Sequence, residues 1–328
     1  MVISMENITV NKEFHELHFD SIQALRGLAA LFVVFQHVRF LNFGAFGVDI
    51  FFCISGFMIM SLLLFPSMFQ QTRHDFSYLV KSLLFIPFDI GSGAIQPLVR
   101  IGWTINCEML FYLLFFIAFH ISMKYRGLIC SAFLVILVGM VQIFAPAISS
   151  WQSPIGNVLS PFLIFYGDPV MLEFLFGILA YYLLRYLYRR HTLHPVSRTV
   201  SLVSAVCIPV IFCLLAYFTP RINVIGFLRL PQWGLPALLL LILAFLAGLR
   251  LSMPRFFVQL GNISYSLYLV HYYPVMFLDR VVFDFSTLSV LSVVGLIVSV
   301  VISIVLAYLC WILIERKFTG WLRRILLR

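Results

Sequence analysis

The chain has 328 residues, 62% of them hydrophobic and 11% charged, with a mean hydropathy of +1.04, which excludes a soluble domain and describes an all-α polytopic membrane protein. Its net charge of +9 comes from cations in short connections and at the C-terminal end; that distribution reflects membrane topology, so it implies membrane lipids and no nucleic acid as partner. Six cysteines, mostly inside apolar runs and with no C-x-x-C pair, argue against a disulfide framework and a zinc site, and no metal is expected.

Residues 1–20 carry Glu6, Glu13 and Glu16 without a basic stretch or cleavage pattern, and read as a cytoplasmic N-terminal segment. Ile22 to Val38 follows as a membrane helix. Arg26 and His37 stand eleven residues apart on it, almost three whole turns, so they share one face with ~16 Å of rise between them. A seven-residue connection, Arg39 to Ala45, turns the chain into a second span, Phe46 to Phe65, and a hairpin of this kind is expected to bring Asp49 back to the level of His37. Ionisable groups within spans are costly and usually face a cavity or a partner, so the three together mark a candidate site.

Seven further spans are expected near Ile101 to Met123, Leu128 to Ile148, Pro169 to Leu187, Thr199 to Phe218, Gly234 to Leu249, Ile263 to Leu278 and Leu288 to Ile314. Connections bearing Lys124 and Arg126, Arg189 to Arg198, and Arg250 and Arg255 match the basic tail in charge, which sets the C-terminus in the cytoplasm and the Ala145 to Pro169 loop outside. Nine spans would place the N-terminus outside, against its composition, so about nine to ten are expected. The candidate for the tenth, Tyr78 to Ile90, has thirteen residues and reaches only ~20 Å against a core of ~30 Å; it contains Lys81 and Pro87. With the N-terminus inside, five ionisable groups, His37, Asp49, Glu108, Glu173 and His271, fall at similar depth, and Trp103 lies in the same half of its span.

Arginine, ten residues and histidine, followed by GAFGVDIFFCISGF from Gly44, resemble the signature of the membrane-bound acyltransferase-3 family. GWTINCEMLFY (Gly102 to Tyr112), GNISYSLYLVH (Gly261 to His271) and ERKF (Glu315 to Phe318) agree with it in order. The resemblance is closest to stand-alone members that O-acetylate exopolysaccharides. It implies an acyltransferase-3-like transmembrane domain over 21–316, a basic cytoplasmic tail over 317–328 and a place in the bacterial inner membrane. It also implies transfer of an acyl group, with acetyl-coenzyme A as donor substrate, to a carbohydrate acceptor: a hydroxyl of an exopolysaccharide, a lipopolysaccharide or a lipid-linked precursor. The region 66–100 is shorter here than in the family.

The residues suit that chemistry. A sugar hydroxyl needs a base to take its proton, and His37 is the side chain with a suitable pKa. Asp49 or Glu108 would orient the imidazole, and the guanidinium fork of Arg26 suits a phosphate or the amide-rich arm of coenzyme A. Trp103, Glu173 and His271 are expected to contact substrate. The competing readings are a proton-coupled transporter, which carboxylates and histidines at one depth also describe, and a non-catalytic relative of the family.

Overall fold

The computed structural model describes residues 20–38, 43–53, 88–89, 95–96, 103–150, 154–193, 195–219, 226–282, 285 and 289–318. Among these the architecture is helical, as lipid demands: helices satisfy their own backbone groups where no water can. The first helix, α1, is Asp20–Gln36; α2 starts at residue 46 and is described to 53. Next come α3 (Trp103–Ile121), α4 (Arg126–Ser149), α5 (Pro154–Tyr166), α6 (Glu173–Leu193), α7 (Arg198–Phe218) and α8 (Leu235–Gly248). Short helices α9 (Arg255–Asn262), α10 (Ser264–Val270) and α11 (Tyr272–Val281) precede the long α12 (Val290–Cys310), which continues as a π-helix over Trp311–Phe318.

Six helical stretches among the described residues are long and apolar enough to cross a membrane: Trp103–Ile121, Arg126–Ser149, Phe162–His191, Arg198–Phe218, Gly226–Gly248 and Val290–Lys317. Ile143 on α4 is 71% exposed and Ile297 on α12 58% exposed, an outward apolar surface suited to lipid tails. The protein is a multi-pass membrane protein. Helix starts are set locally: Ser197 accepts from Val200 N at 3.2 Å to cap α7, and Ser289 from Ser292 N at 3.1 Å to cap α12, each satisfying a donor that the first turn leaves open. Asp168 does the same for the 3₁₀ turn Pro169–Leu172 that leads into α6, accepting from Val170 N at 2.8 Å.

Three features depart from expectation. Ile263 to Leu278 is not one helix: it breaks at His271 between α10 and α11, because Pro274 has no N–H to return to the Val270 carbonyl. The expected Ala145 to Pro169 loop contains α5. Tyr78 to Ile90 does not end as a helix, since Phe88 and Asp89 are extended and pair antiparallel with Gln96 and Ile95; Pro97 after Gln96 favours extended backbone there. The rest of that segment with Lys81, the second span beyond Cys53, residues 1–19 and residues 319–328 lie outside the described residues.

By its internal contacts the chain divides into two compact units, one of Met1–Ile54, Leu183–Asn223 and Pro236–Arg328, the other of Ser55–Tyr182 and Val224–Leu235. In the first, α1 packs along α9 and α10, and α10 along α12, around Ala30, Val34, Val38, Leu260, Leu267 and Ala307. Helix α12 presents Gly295, Ser299, Ser303 and Ala307 at four-residue spacing, all buried. Ser299 and Ser303 hydroxyls donate back to the Gly295 and Ser299 carbonyls at 2.8 and 2.7 Å, so small polar residues face a neighbouring helix without an unsatisfied group. In the second unit, α3 and α4 form a hairpin and α5 packs on α4. Phe111 stacks on Phe174 at 4.3 Å, and Gln142 Nε2 donates to the Gly167 carbonyl at 2.9 Å.

Candidate active site

Two glycines set the site's register. A Cβ at Gly27 would stand 2.8 Å from Gly261 N, and one at Gly261 would overlap the Gln23 carbonyl, so α1 and the α9–α10 segment touch backbone to backbone as only glycine allows. Ten residues further along each chain stand His37 and His271. The two strands of helix therefore run parallel, and an equal rise of ~15 Å from the glycine contact brings the imidazoles level.

They meet there. His271, fully buried, turns Nδ1 to the carbonyls of Tyr268 and Leu267 at 2.7 and 3.1 Å, and its Nε2 lies 3.2 Å from His37 Nδ1. Carbonyl oxygens only accept, so Nδ1 of His271 carries a proton and, in the neutral ring, Nε2 is the acceptor. His37 Nδ1 is also 2.9 Å from the Val33 carbonyl, and both of these contacts require a donor. Nδ1–H of His37 thus donates to Val33 O and His271 Nε2, and the lone pair of neutral His37 falls on Nε2. The Tyr272 ring stands edge-on to His37 with centroids 5.4 Å apart. His37 itself closes α1 in a tighter turn, its N–H reaching the Val34 carbonyl at 3.1 Å, which ends the helix at the ring.

Asp49 lies lower than the hairpin argument places it. A Cβ at Gly47 would come within 2.6 Å of the Ala29 carbonyl, and one at Gly44 would overlap that of Phe32, so the returning chain overlaps α1 well before His37. Continued antiparallel, this register sets Asp49 level with residues 27–29, ~12–15 Å of rise short of His37 and within ~5 Å of Arg26. Asp49 is fully buried. Arg26 Nη1 donates to Gln23 Oε1 at 3.1 Å.

Trp103, Glu108 and Glu173 belong to the second unit. Trp103 opens α3, and one turn on, Glu108 accepts a short hydrogen bond from the Tyr112 hydroxyl. Glu173 is fully buried and pairs with Arg229, whose Nε donates to Oε1 at 3.1 Å while its guanidinium lies over Trp233, 4.8 Å from the ring centroid. Asn106, 1% exposed, has no partner for either amide atom. Among the described residues no three His, Cys, Asp or Glu side chains converge as a metal site would require.

At the opposite end of the first unit from the histidines, a cavity of about 370 Å³ is lined by Ser21, Tyr188, His191, Gly248 and Met253 among others. The start of α1 and the ends of α6 and α8 are therefore neighbours, at the end where the chain carries Arg189, Arg190, Arg198 and Arg250.

A family model described as an acyltransferase domain matches residues 19–312, almost the whole chain. The chain belongs to the acyltransferase-3 family. The exopolysaccharide production protein ExoZ of Rhizobium meliloti (strain 1021) is 28% identical over 238 residues, which cover 68% of this chain and 63% of that protein; the chain spans less than two thirds of the relative's length. No solved structure matches.

For this acyltransferase-3 chain, sequence reasoning missed Arg229 and the direct contact of the two histidines. A signal for Arg229 existed: it lies in a connection at the end away from the basic loops, where a cation has no topological role. A signal for the histidine contact also existed, in the ten-residue interval shared by Gly27 to His37 and Gly261 to His271.

Proposed function

We propose that the protein is an integral membrane O-acyltransferase of the bacterial inner membrane. It moves an acyl group, acetyl in the first instance, from acyl-coenzyme A to a hydroxyl of a cell-surface glycan or its lipid-linked precursor. The observation that carries this reading is the His37–His271 contact, which holds one imidazole with its basic nitrogen defined. Family membership supports acyl transfer, and likeness to an exopolysaccharide production protein favours a glycan acceptor.

His37 Nε2 takes the proton of the acceptor hydroxyl as that oxygen bonds to the thioester carbonyl carbon. The tetrahedral adduct then breaks its carbon–sulfur bond, and the departing thiolate of coenzyme A receives the proton from the His37 imidazolium. Throughout, His271 Nε2 accepts from His37 Nδ1–H, orienting the ring and stabilising its charged form, the part the third member plays in triad-like sites. Arg26 holds the phosphate-bearing part of the donor, and Asp49, near its level, acts at that end of the path. Trp103 and Glu173 are assigned to substrate and Glu108 to catalysis; the GWTINCEMLFY resemblance supports this for Trp103 and Glu108.

We infer ten crossings. Ser21, His191 and Gly248 line one cavity, so an even number of crossings separates the start of α1 from the end of α6. The five spans that the sequence offers over this interval are odd in number, so one more is required and a total of nine becomes ten. By the positive-inside rule the arginine-bearing end is cytoplasmic, which sets donor entry there and the histidines towards the outer face.

The test is transfer of label from radiolabelled acetyl-coenzyme A to extracted cell-surface glycan by purified protein in vesicles. Label should enter the glycan, and His37→Ala should lower the rate ~10²–10⁴-fold with membrane abundance unchanged. Undiminished transfer by His37→Ala removes the histidine from the mechanism. Glycan-coupled proton uptake without transfer would favour a carrier instead.

A further inference from the structure

Where α9 meets the end of α12 and its π-helical extension, the first unit carries a groove of about 500 Å³, within the range that encloses a small organic ligand. Its apolar part includes Ile263, Ile304 and Val305, and its polar rim is Gln259, Asn262 and Arg316. Phe256 and Val305 are 61% and 52% exposed, so the groove opens sideways. The Arg316 guanidinium lies over the Trp311 ring, 4.9 Å from its centroid, and has no carboxylate partner among the described residues. The neighbouring carboxylate, Glu315, instead accepts from the Ser266 hydroxyl at 2.5 Å.

We propose that this groove is a binding site for an anionic phospholipid, with the phosphate on Arg316, the Gln259 and Asn262 amides on the headgroup, and one acyl chain along Ile304 and Val305. Three features select that occupant. The groove joins a lateral apolar slot to a single cation, which matches an amphiphile with one negative charge. Trp311 sits beside the cation, as indoles do at the level of lipid headgroups. Both walls come from segments next to basic connections, Arg250 and Arg255 on one side and Arg316 and Lys317 on the other, where anionic headgroups concentrate.

Occupancy would bear on the histidine pair. The π-helix that supplies Arg316 is tied through Glu315 to Ser266 on α10, and α10 ends at His271. A lipid that braces Trp311–Phe318 therefore braces the helix that positions the His37 partner. Only this consequence for rate rests on the acyltransferase reading; the site itself does not.

The test is native mass spectrometry of the detergent-solubilised full chain titrated with phosphatidylglycerol or phosphatidylcholine. One phosphatidylglycerol per chain should bind at least tenfold more tightly than phosphatidylcholine. Arg316→Gln should remove that preference, Arg316→Lys should keep most of it, and Val305→Trp, which fills the slot and spares the charge, should weaken both lipids. Equal binding of the two lipids by the wild-type chain, a preference unchanged in Arg316→Gln, or affinities unchanged in Val305→Trp, overturns the site. Displacement of phosphatidylglycerol by free coenzyme A or inorganic phosphate overturns the lipid assignment in favour of a soluble anion. In vesicles, transfer that rises with phosphatidylglycerol content in the wild-type chain and not in Arg316→Gln supports the link to His271, and transfer indifferent to lipid composition refutes that link while leaving the binding result to judge the site.

Discussion

Replacing His271 with Leu removes the acceptor at Nε2 and keeps the site filled with a side chain of similar bulk. In the resting protein the lost bond, 3.2 Å between His37 Nδ1 and His271 Nε2, joins neutral groups and is worth ~0.5–1.5 kcal/mol, whereas in the transition state of the proposed mechanism His37 is charged and the same bond is worth ~1.5–3 kcal/mol. Only the difference, ~1–1.5 kcal/mol, slows the chemical step, which is ~10-fold in kcat. The Val33 carbonyl at 2.9 Å still accepts from Nδ1–H, so the tautomer survives and the loss stays well below that of His37→Ala. KM for both substrates should hold, because neither touches His271 in this mechanism. His271→Gln offers a carbonyl oxygen to the same proton and should recover part of the rate. The assay is steady-state transfer to glycan with membrane abundance measured in parallel. A His271→Leu enzyme with kcat within about twofold of wild type refutes the positioning role; a loss as deep as His37→Ala that Gln does not relieve shows a structural role instead.

Gly27→Leu should cost ~1–3 kcal/mol by overpacking, since its Cβ would stand 2.8 Å from Gly261 N; the thermal midpoint in detergent and the transfer rate should both fall, while Gly139→Leu, with nothing within 4 Å of its Cβ, should change neither. Arg229→Met leaves the fully buried Glu173 carboxylate without its 3.1 Å partner and should cost ~3 kcal/mol, the low end for a broken buried pair because Arg229 is partly exposed; adding Glu173→Leu should return most of the loss, and a double variant as unstable as the single one refutes the ion-pair account. Cysteines placed at Arg190 and Leu251 should label from one side of the membrane and one at Ser150 from the other; labelling of Arg190→Cys and Ser150→Cys from the same side refutes the topology.

Composition and helix period made the fold legible for the long spans, whose apolar runs leave no alternative to a membrane helix. They failed where length or proline blurred the signal. The thirteen residues of α5, with Pro154 and Pro161, read as a loop because they are short, and the break at His271 is visible only if Pro274 is charged with the loss of the Val270 bond. The site was legible residue by residue but not pairwise. His37 and His271 stood out as imidazoles in apolar helices, yet which helices touch is decided by glycines whose partners lie more than two hundred residues away. Asp49 was placed too high because a hairpin was assumed to reverse after Val38, whereas Gly44 already lies against Phe32. Arg229 was passed over since its partner, Glu173, stands fifty-six residues away and no local spacing joins the two.

On the acyltransferase reading, the levels along α1 account for the place of the proposed base, His37. From the cavity at Ser21 the polar groups come early: Arg26 with Gln23, then Asp49 level with residues 27–29. From Ala30 to Phe35 the helix is wholly apolar, and the facing part of the returning chain, Phe46, Gly47 and Val48, is apolar too. That interval of ~12 Å below His37 is costly for a phosphate or carboxylate to enter and easy for an uncharged arm. On the acyltransferase reading, the helix pair sorts the donor by chemistry along its length: its charged end is held at the arginine-bearing end, and its neutral thioester is the part that can reach the imidazole. An imidazole at that height, held by a second imidazole rather than by a carboxylate, adds no fixed charge to the apolar path that leads to it.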